Sequence, residues 1–307
     1  NQLKIMTWLL FSILSYLILA IVFLIDKYLL ISRIPNPKLY ALYTGFLGVF
    51  IIVIAPFVNF YIPNLPQLSL ALLAGIVSVL ALFCFYQTLQ LFETSRVVPA
   101  IGAILPFFTL GLIYIFSAGK ETLAISEFPA FALLIFGSFL ITYERSKNIS
   151  LSSFKFSIIT AFFYALYFVL TKYVYLSQPF WNGFIWMSVG GFLGSFLFLF
   201  SKEVREGIFK ARVTFQGKTI FIFFLSKILG GGGGLLQNWA IFLAPLAGVA
   251  IINVLQGTQY AFLLILTVFL SLEFPNVFKE KITKEIIFQK ILAILFIGIG
   301  LTILALS

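Results

Sequence analysis

The chain contains no histidine and only one cysteine, Cys84, among its 307 residues. Without histidine there is no His-based catalytic triad, no His metal site and no His proton relay. A single cysteine cannot build an internal disulfide framework. Charge is scarce as well: Asp, Glu, Lys and Arg make up 10 % of the residues against 62 % apolar ones, and mean hydropathy is +1.12. An ordinary soluble domain carries about 25 % charge, so that class is excluded. What the chain has instead is a succession of apolar runs of about 18 residues or more, each long enough to cross a bilayer as a helix. The formal charge of +10 would point to nucleic acid in a soluble protein. Here the Lys and Arg residues lie in short segments between the apolar runs, where they set orientation, so no nucleic-acid partner is expected.

The pattern predicts ten spans, at about 7–30, 38–59, 67–90, 97–116, 127–143, 154–175, 180–200, 219–242, 247–270 and 287–306. Residues 12–30 and 157–175 follow one plan at a shift of 145 positions. Ser12 falls on Ser157, Ala20 on Ala165, Phe23 on Phe168, and Lys27-Tyr28 on Lys172-Tyr173. Residues 86–103 fall on 238–255 at a shift of 152, and Gly137 falls on Gly298 at 161. Five spans per copy is an odd number, so the two copies, 1–148 and 149–307, enter the membrane from opposite sides. The expected fold is an all-α membrane protein of ten transmembrane helices in two inverted five-helix repeats, an arrangement that serves two-sided access to a midplane site. Because residues 7–30 repeat later, the first span is expected to be structural and not a signal peptide. The chain opens at Asn1 without an initiator Met, which leaves room for a short leader.

Ten spans in two copies resemble the drug/metabolite transporter superfamily, and within it the EamA-type branch. The residues that carry the resemblance are the Lys near the end of each first span (Lys27, Lys172) and the small-residue fourth span, with Val97-Val98-Pro99-Ala100 followed by Leu105-Pro106. A Glu opens the last helix pair of each copy, in Gly119-Lys120-Glu121-Thr122-Leu123 and in Lys279-Glu280-Lys281-Ile282-Thr283, and a Gly follows in the final span (Gly137, Gly298). The likeness covers nearly the whole chain, though Thr258-Gln259 stands opposite Pro106 and Lys120 interrupts the Gly-Glu pair. The resemblance implies a metabolite exporter of the prokaryotic cytoplasmic membrane with both termini in the cytoplasm. The cation count says otherwise. Lys27, Arg33, Lys38, Arg96, Arg145, Lys147, Lys155, Lys202, Arg205, Lys210, Arg212, Lys218, Lys279, Lys281, Lys284 and Lys290 fall on one side, against Lys4, Lys120 and Lys172 on the other. That places the termini outside. The count is preferred, because the basic 7–8 loop has an uncharged repeat-mate in the 2–3 loop.

The polar residues inside the spans are the candidate site. Lys227 lies well inside the eighth span, and either snorkels to the interface or serves as counter-charge to an anionic substrate group. Gln237, Asn238 and Trp239 follow it. Asn253, Gln256, Gln259 and Tyr260 share one face of the ninth span, and Tyr86, Gln87 and Gln90 lie on the third. Tyr16, Tyr164 and Tyr167 come from the two opening spans, and Trp186 is a further cavity candidate. Interhelical hydrogen bonding explains each singly; their gathering at the repeat interface points to a small-molecule site. Pro99, Pro106 and the run Gly230, Gly231, Gly232, Gly233 and Gly234 are candidate hinges, the glycines serving either as close packing or as a locally unwound wall. That run cannot be a phosphate loop, since no strand precedes it and no Gly-Lys-Ser/Thr ends it.

Small multidrug exporters, which resemble this scaffold, depend on a carboxylate in mid-span. Asp26 stands near the end of its span, so proton coupling through a buried carboxylate is not expected. No nucleophile–base pair or metal set is present, so no catalytic residue, metal or cofactor is expected. The function predicted is secondary transport of a small polar metabolite, an amino acid or related compound, by a monomer or homodimer in the lipid bilayer. Alternatives are a nucleotide-sugar or lipid-linked-sugar carrier and a non-transporting membrane binding or assembly protein.

Overall fold

The computed structural model describes residues 2–34, 36–91, 94–142, 151–214, 217–259, 261–263, 266 and 284–306, and among them every regular element is helical. The helices are α1 (Gln2–Ser32), α2 (Pro37–Gly48), α3 (Leu65–Leu91), α4 (Thr94–Phe116), α5 (Phe128–Thr142), α6 (Leu151–Ser177), α7 (Phe180–Ser195), α8 (Lys202–Thr214), α9 (Gly217–Leu243), α10 (Gly248–Val254) and α11 (Lys284–Leu306). Six stretches are long and apolar enough to cross a membrane: Ile5–Ile31, Pro37–Phe57, Leu65–Leu91, Phe154–Ser177, Phe180–Phe200 and Gly217–Leu243. Phe, Leu and Ile side chains lie exposed along their outer faces, as a lipid-facing surface requires. The chain is an all-α, multi-pass membrane protein. Tyr260, the junction expected at 148/149 and the segment from Lys279 to Thr283 lie outside the described residues.

Asn residues in the segments between the first spans cap the helices that follow. The Asn36 side chain accepts from the Leu39 amide at 3.1 Å with Pro37 in the first turn of α2, and the Asn64 side chain accepts from the Gln67 amide at 3.1 Å at the start of α3. Gly119, with φ +78°, donates its amide to the Tyr114 carbonyl and ends α4. α2 and α7 both tighten into 3-10 segments, Val49–Phe57 and Phe196–Phe200.

Helices meet through small residues. α3 lies along α7 with Gly75 against the Met187 carbonyl and Gly190 against the Leu72 backbone; a Cβ at either position would overlap the facing main chain. α5 meets α11 at Gly137, against Ala293 and Ile297, and at Gly300, against Ala130 and Leu134. α1 runs along α9, and α6 lies between α3 and α4. By contrast α2 and α9 touch at few points. At one end of the bundle Lys38 at the start of α2 pairs with Glu203 of α8 at 3.1 Å. At the other, Gln67 and Gln178 bond the backbone of the facing connection, and the Trp186 indole donates to the Tyr61 carbonyl at 3.0 Å.

Lys172, expected near the end of its span among the cations of one side, does not reach that surface. It lies inside α6, 4 % exposed, and its ammonium donates to the carbonyls of Ile241, Phe242 and Ala244 at 3.1, 3.1 and 2.5 Å. Those are carbonyls at the C-terminal end of α9, where Pro245 prevents the helix from continuing into α10, and a cation satisfies both the open acceptors and the helix dipole.

Candidate functional site

Two polar groups sit inside the apolar body. The first centres on Asp26. Although six residues from the end of α1, or about 9 Å at 1.5 Å per residue, it is only 5 % exposed. Lys227 of α9 donates to both of its carboxylate oxygens at 3.1 Å. The hydroxyls of Tyr40 and Ser226 donate to Oδ1 at 2.6 and 2.5 Å, and that of Tyr86 to Oδ2 at 3.4 Å. The ammonium also lies 4.2 Å above the Tyr40 ring and 5.5 Å from that of Tyr86. Two corrections follow. Lys227 does not snorkel, and its charge is already met by Asp26 in this structure. Asp26, though near the end of its helix as expected, is buried: two opposite charges about 9–15 Å inside the helices neutralise one another because isolated charges there cost several kcal/mol each. Sequence reasoning missed the pair because it weighed each charge alone. The available signal was that α1 and α9 each carry an ionisable residue of opposite sign inside an apolar span.

The second group is a cavity of about 170 Å³ between α2, α3, α6, α7 and α9. Thr44, Ser78, Tyr167, Ser188 and Asn238 supply its polar wall, and Leu82, Phe184 and Met187 part of its apolar one. The Asn238 amide donates to the Tyr167 hydroxyl at 3.2 Å and to the Gly234 carbonyl at 2.9 Å, and its oxygen accepts from Tyr175 at 2.8 Å. Thr44 joins the two groups: it lines the cavity, and its hydroxyl lies in hydrogen-bonding reach of the Tyr86 side chain.

The remaining candidates disperse. Tyr16 is 2 % exposed and donates to the Ile252 carbonyl at 2.9 Å, with Gln237 in hydrogen-bonding reach. Asn253 donates to Thr109 of α4 at 2.7 Å, which is interhelical bonding. The side-chain oxygens of Asn253 and Gln256 have no hydrogen-bond partner among the described residues, and Gln259 is 7 % exposed. Tyr164 packs edge-on against Phe85 at 6.0 Å. Gln87 is half-buried and Gln90 exposed, away from the cavity lining. Trp239 belongs to an aromatic cluster with Phe180, Trp181 and Phe242, and Trp186 stacks on Phe60 near one end of the bundle. Residues that the sequence did not single out are Tyr40, Thr44, Ser78, Ser188 and Ser226; hydroxyl residues in apolar helices carry little signal until the fold collects them.

The candidate hinges are helical. α4 runs through Pro99 and Pro106, and α9 runs unbroken through all five glycines. Gly230 and Gly233 face α1, where added Cβ atoms would lie 3.5 Å from Val22 and 3.0 Å from Leu19, and Ser15 donates to the Gly233 carbonyl at 2.8 Å. Beside Gly231, Gly232 and Gly234 there is open space. Gly231→Ala with Gly232→Ala is therefore expected to raise the melting temperature, since each glycine costs about 1 kcal/mol relative to alanine in a helix. Gly233→Ala is expected to lower it by crowding Leu19. Melting curves of the purified variants distinguish the two directions.

No protein-family profile and no curated protein matches the sequence. A solved structure described only as "Crystal structure of protein" superposes on 99 % of this chain and 96 % of its own length, with a TM-score of 0.65 at 14 % identity. At that identity the likeness shows the shared fold alone.

Proposed function

We propose that this protein is a secondary transporter of a small polar metabolite, of the EamA type, working by alternating access between two inverted five-helix halves. The observation that carries the proposal is the partly open cavity of about 170 Å³ between helices of both halves, with hydroxyl and amide groups set in a largely apolar wall.

Reciprocal contacts support the repeat. A single shift of 163 positions carries Gly137 to Gly300, Ala130 to Ala293 and Leu134 to Ile297, so the α5–α11 contact maps onto itself. That replaces the pairing of Gly137 with Gly298, beside which there is open space. Likewise Ser15 and Thr160, mates at a shift of 145, each bond the long third-span helix of the opposite half, through Gly233 and Thr88. The halves also differ in a way that a two-state carrier requires. At a shift of 152 Gly75 corresponds to Lys227, and at 145 Thr171 corresponds to Asp26. Where one interface between the halves, α3 with α7, has the glycine seam, the corresponding one, α9 with α2, has scarcely any contact and the ion pair beside it. One pathway is shut by backbone contact and the other by side chains that can exchange partners.

A nucleotide-sugar or lipid-linked-sugar carrier would need cations around its phosphates, and no described residue of the cavity lining is cationic. Reconstitution into proteoliposomes, with counterflow of pooled labelled metabolites, tests the proposal. Saturable flux that is reduced by Asn238→Leu or Tyr167→Phe is expected. Absence of saturable flux for every pool would refute transport and leave a binding or assembly role.

A further inference from the structure

We propose that the group around Asp26 is a carboxylate-exchange site: the carboxylate of a small organic acid enters the donor set of Lys227, Ser226, Tyr40 and Tyr86, and Asp26 leaves it as the protonated acid. The inference rests on the transport reading above and assigns to it a substrate charge and a coupled proton.

Four donors converge on one carboxylate: an ammonium at 3.1 Å to both oxygens, and three hydroxyls at 2.5, 2.6 and 3.4 Å. This is the arrangement by which proteins bind a free carboxylate, charge-assisted and approached from several directions. Here the carboxylate happens to be tethered. The donors come from α2, α3 and α9, while Asp26 comes from α1, so the occupant can change without the donor set being rebuilt. Thr44, in hydrogen-bonding reach of the Tyr86 side chain, lines the cavity next to this set, and the side chains of Lys227 and Asp26 keep 9 % and 8 % of their surface exposed.

Charge then dictates the proton. The ionisable groups facing Asp26 are Tyr40 from α2, Tyr86 from α3 and Lys227 from α9, with Tyr164 of α6 behind Phe85. At rest one anion balances one cation. An organic anion that takes Lys227 leaves Asp26 charged and unpaired in a medium where an isolated charge is heavily penalised. Uptake of one proton from water onto the Asp26 carboxylate restores neutrality. On release the acid anion departs, Asp26 returns the proton to water, and the pair re-forms. One anion and one proton thus move together with no net charge. A zwitterion brings its own ammonium to Asp26 and needs no proton, and a neutral solute has nothing to exchange.

The test uses the purified full chain in weakly buffered detergent with a pH indicator, titrated with acetate, lactate and benzoate and with their neutral amides, while thermal stability is followed in parallel. At least one carboxylate is expected to raise the melting temperature, its amide is not, and about one proton is expected to be taken up per carboxylate bound. Lys227→Met abolishes both effects. Asp26→Asn keeps carboxylate binding, which a merely structural pair would not do; should that variant fail to fold, the wild-type proton count decides alone. Carboxylate binding without proton uptake would overturn the exchange. So would the absence of any carboxylate effect beside saturable flux of a neutral or zwitterionic metabolite, an outcome that leaves the transport reading intact. Absence of both carboxylate binding and flux defeats the two together.

Discussion

Lys227→Met alone is expected to destabilise the protein by about 3–5 kcal/mol, and Lys227→Met with Asp26→Asn by much less than the sum of the single changes. The asymmetry follows from burial. Asp26 is 5 % exposed, and after loss of the ammonium it keeps three hydroxyl donors but no counter-charge. Removing both charges instead leaves an amide that the same hydroxyls can satisfy and a Met of similar length beneath the Tyr40 ring, which lies 4.2 Å from the wild-type ammonium. Melting of the two single variants and the double variant, read as a double-mutant cycle, gives the coupling. By comparison Lys38→Ala, which removes the exposed bridge to Glu203, is expected to cost less than about 1 kcal/mol.

Gly75→Ala is expected to cost at least about 1–3 kcal/mol, the usual range for an overpacked interior, and Gly190→Ala a similar amount. A methyl at Gly75 overlaps the Met187 carbonyl and the Gly190–Gly191 backbone, and one at Gly190 overlaps the main chain of Leu72. Neither neighbour is a side chain that can swing away, so α3 and α7 must move apart. Gly111→Ala, inside α4 with nothing within 4 Å of the added Cβ, serves as the control, in which stability is expected to rise and not to fall. Separation of α3 from α7 would also open the glycine-sealed pathway. Under the transport proposal, cavity cysteines are then expected to react faster from that side in Gly75→Ala than in the wild type.

Six of the ten expected spans appear as helices long and apolar enough to cross a membrane, because hydropathy depends on composition alone. The likeness of 12–30 to 157–175 is matched by burial: Ser12 and Ser157, and Ala20 and Ala165, are all fully buried. Toward the ends small residues abound and one glycine aligns as well as its neighbour; under the proposed repeat the facing residues Ala293, Ile297, Ala130 and Leu134 pair Gly137 with Gly300. The candidate site was half legible. Asn238, Tyr167, Tyr86 and Lys227 belong to it, whereas Asn253 bonds α4 and Trp239 joins an aromatic cluster. Polarity marks a residue that needs a partner inside an apolar body; it does not say whether that partner is a ligand or another helix. Asp26 was misplaced because distance from the end of a helix is not depth in a bundle. Lys172 was misplaced because the carbonyls that it caps are 70 residues further along the chain.

The measurement that bears most directly on transport by alternating access is labelling of the cavity from each side of the membrane. With Cys84 replaced by Ser, single cysteines at Thr44 and Ser188 are exposed in oriented vesicles to a membrane-impermeant thiol reagent, added inside or outside. Reaction from both sides is predicted, with a transported solute changing the two rates in opposite directions. Reaction from one side only, unchanged by every solute that binds, would contradict it.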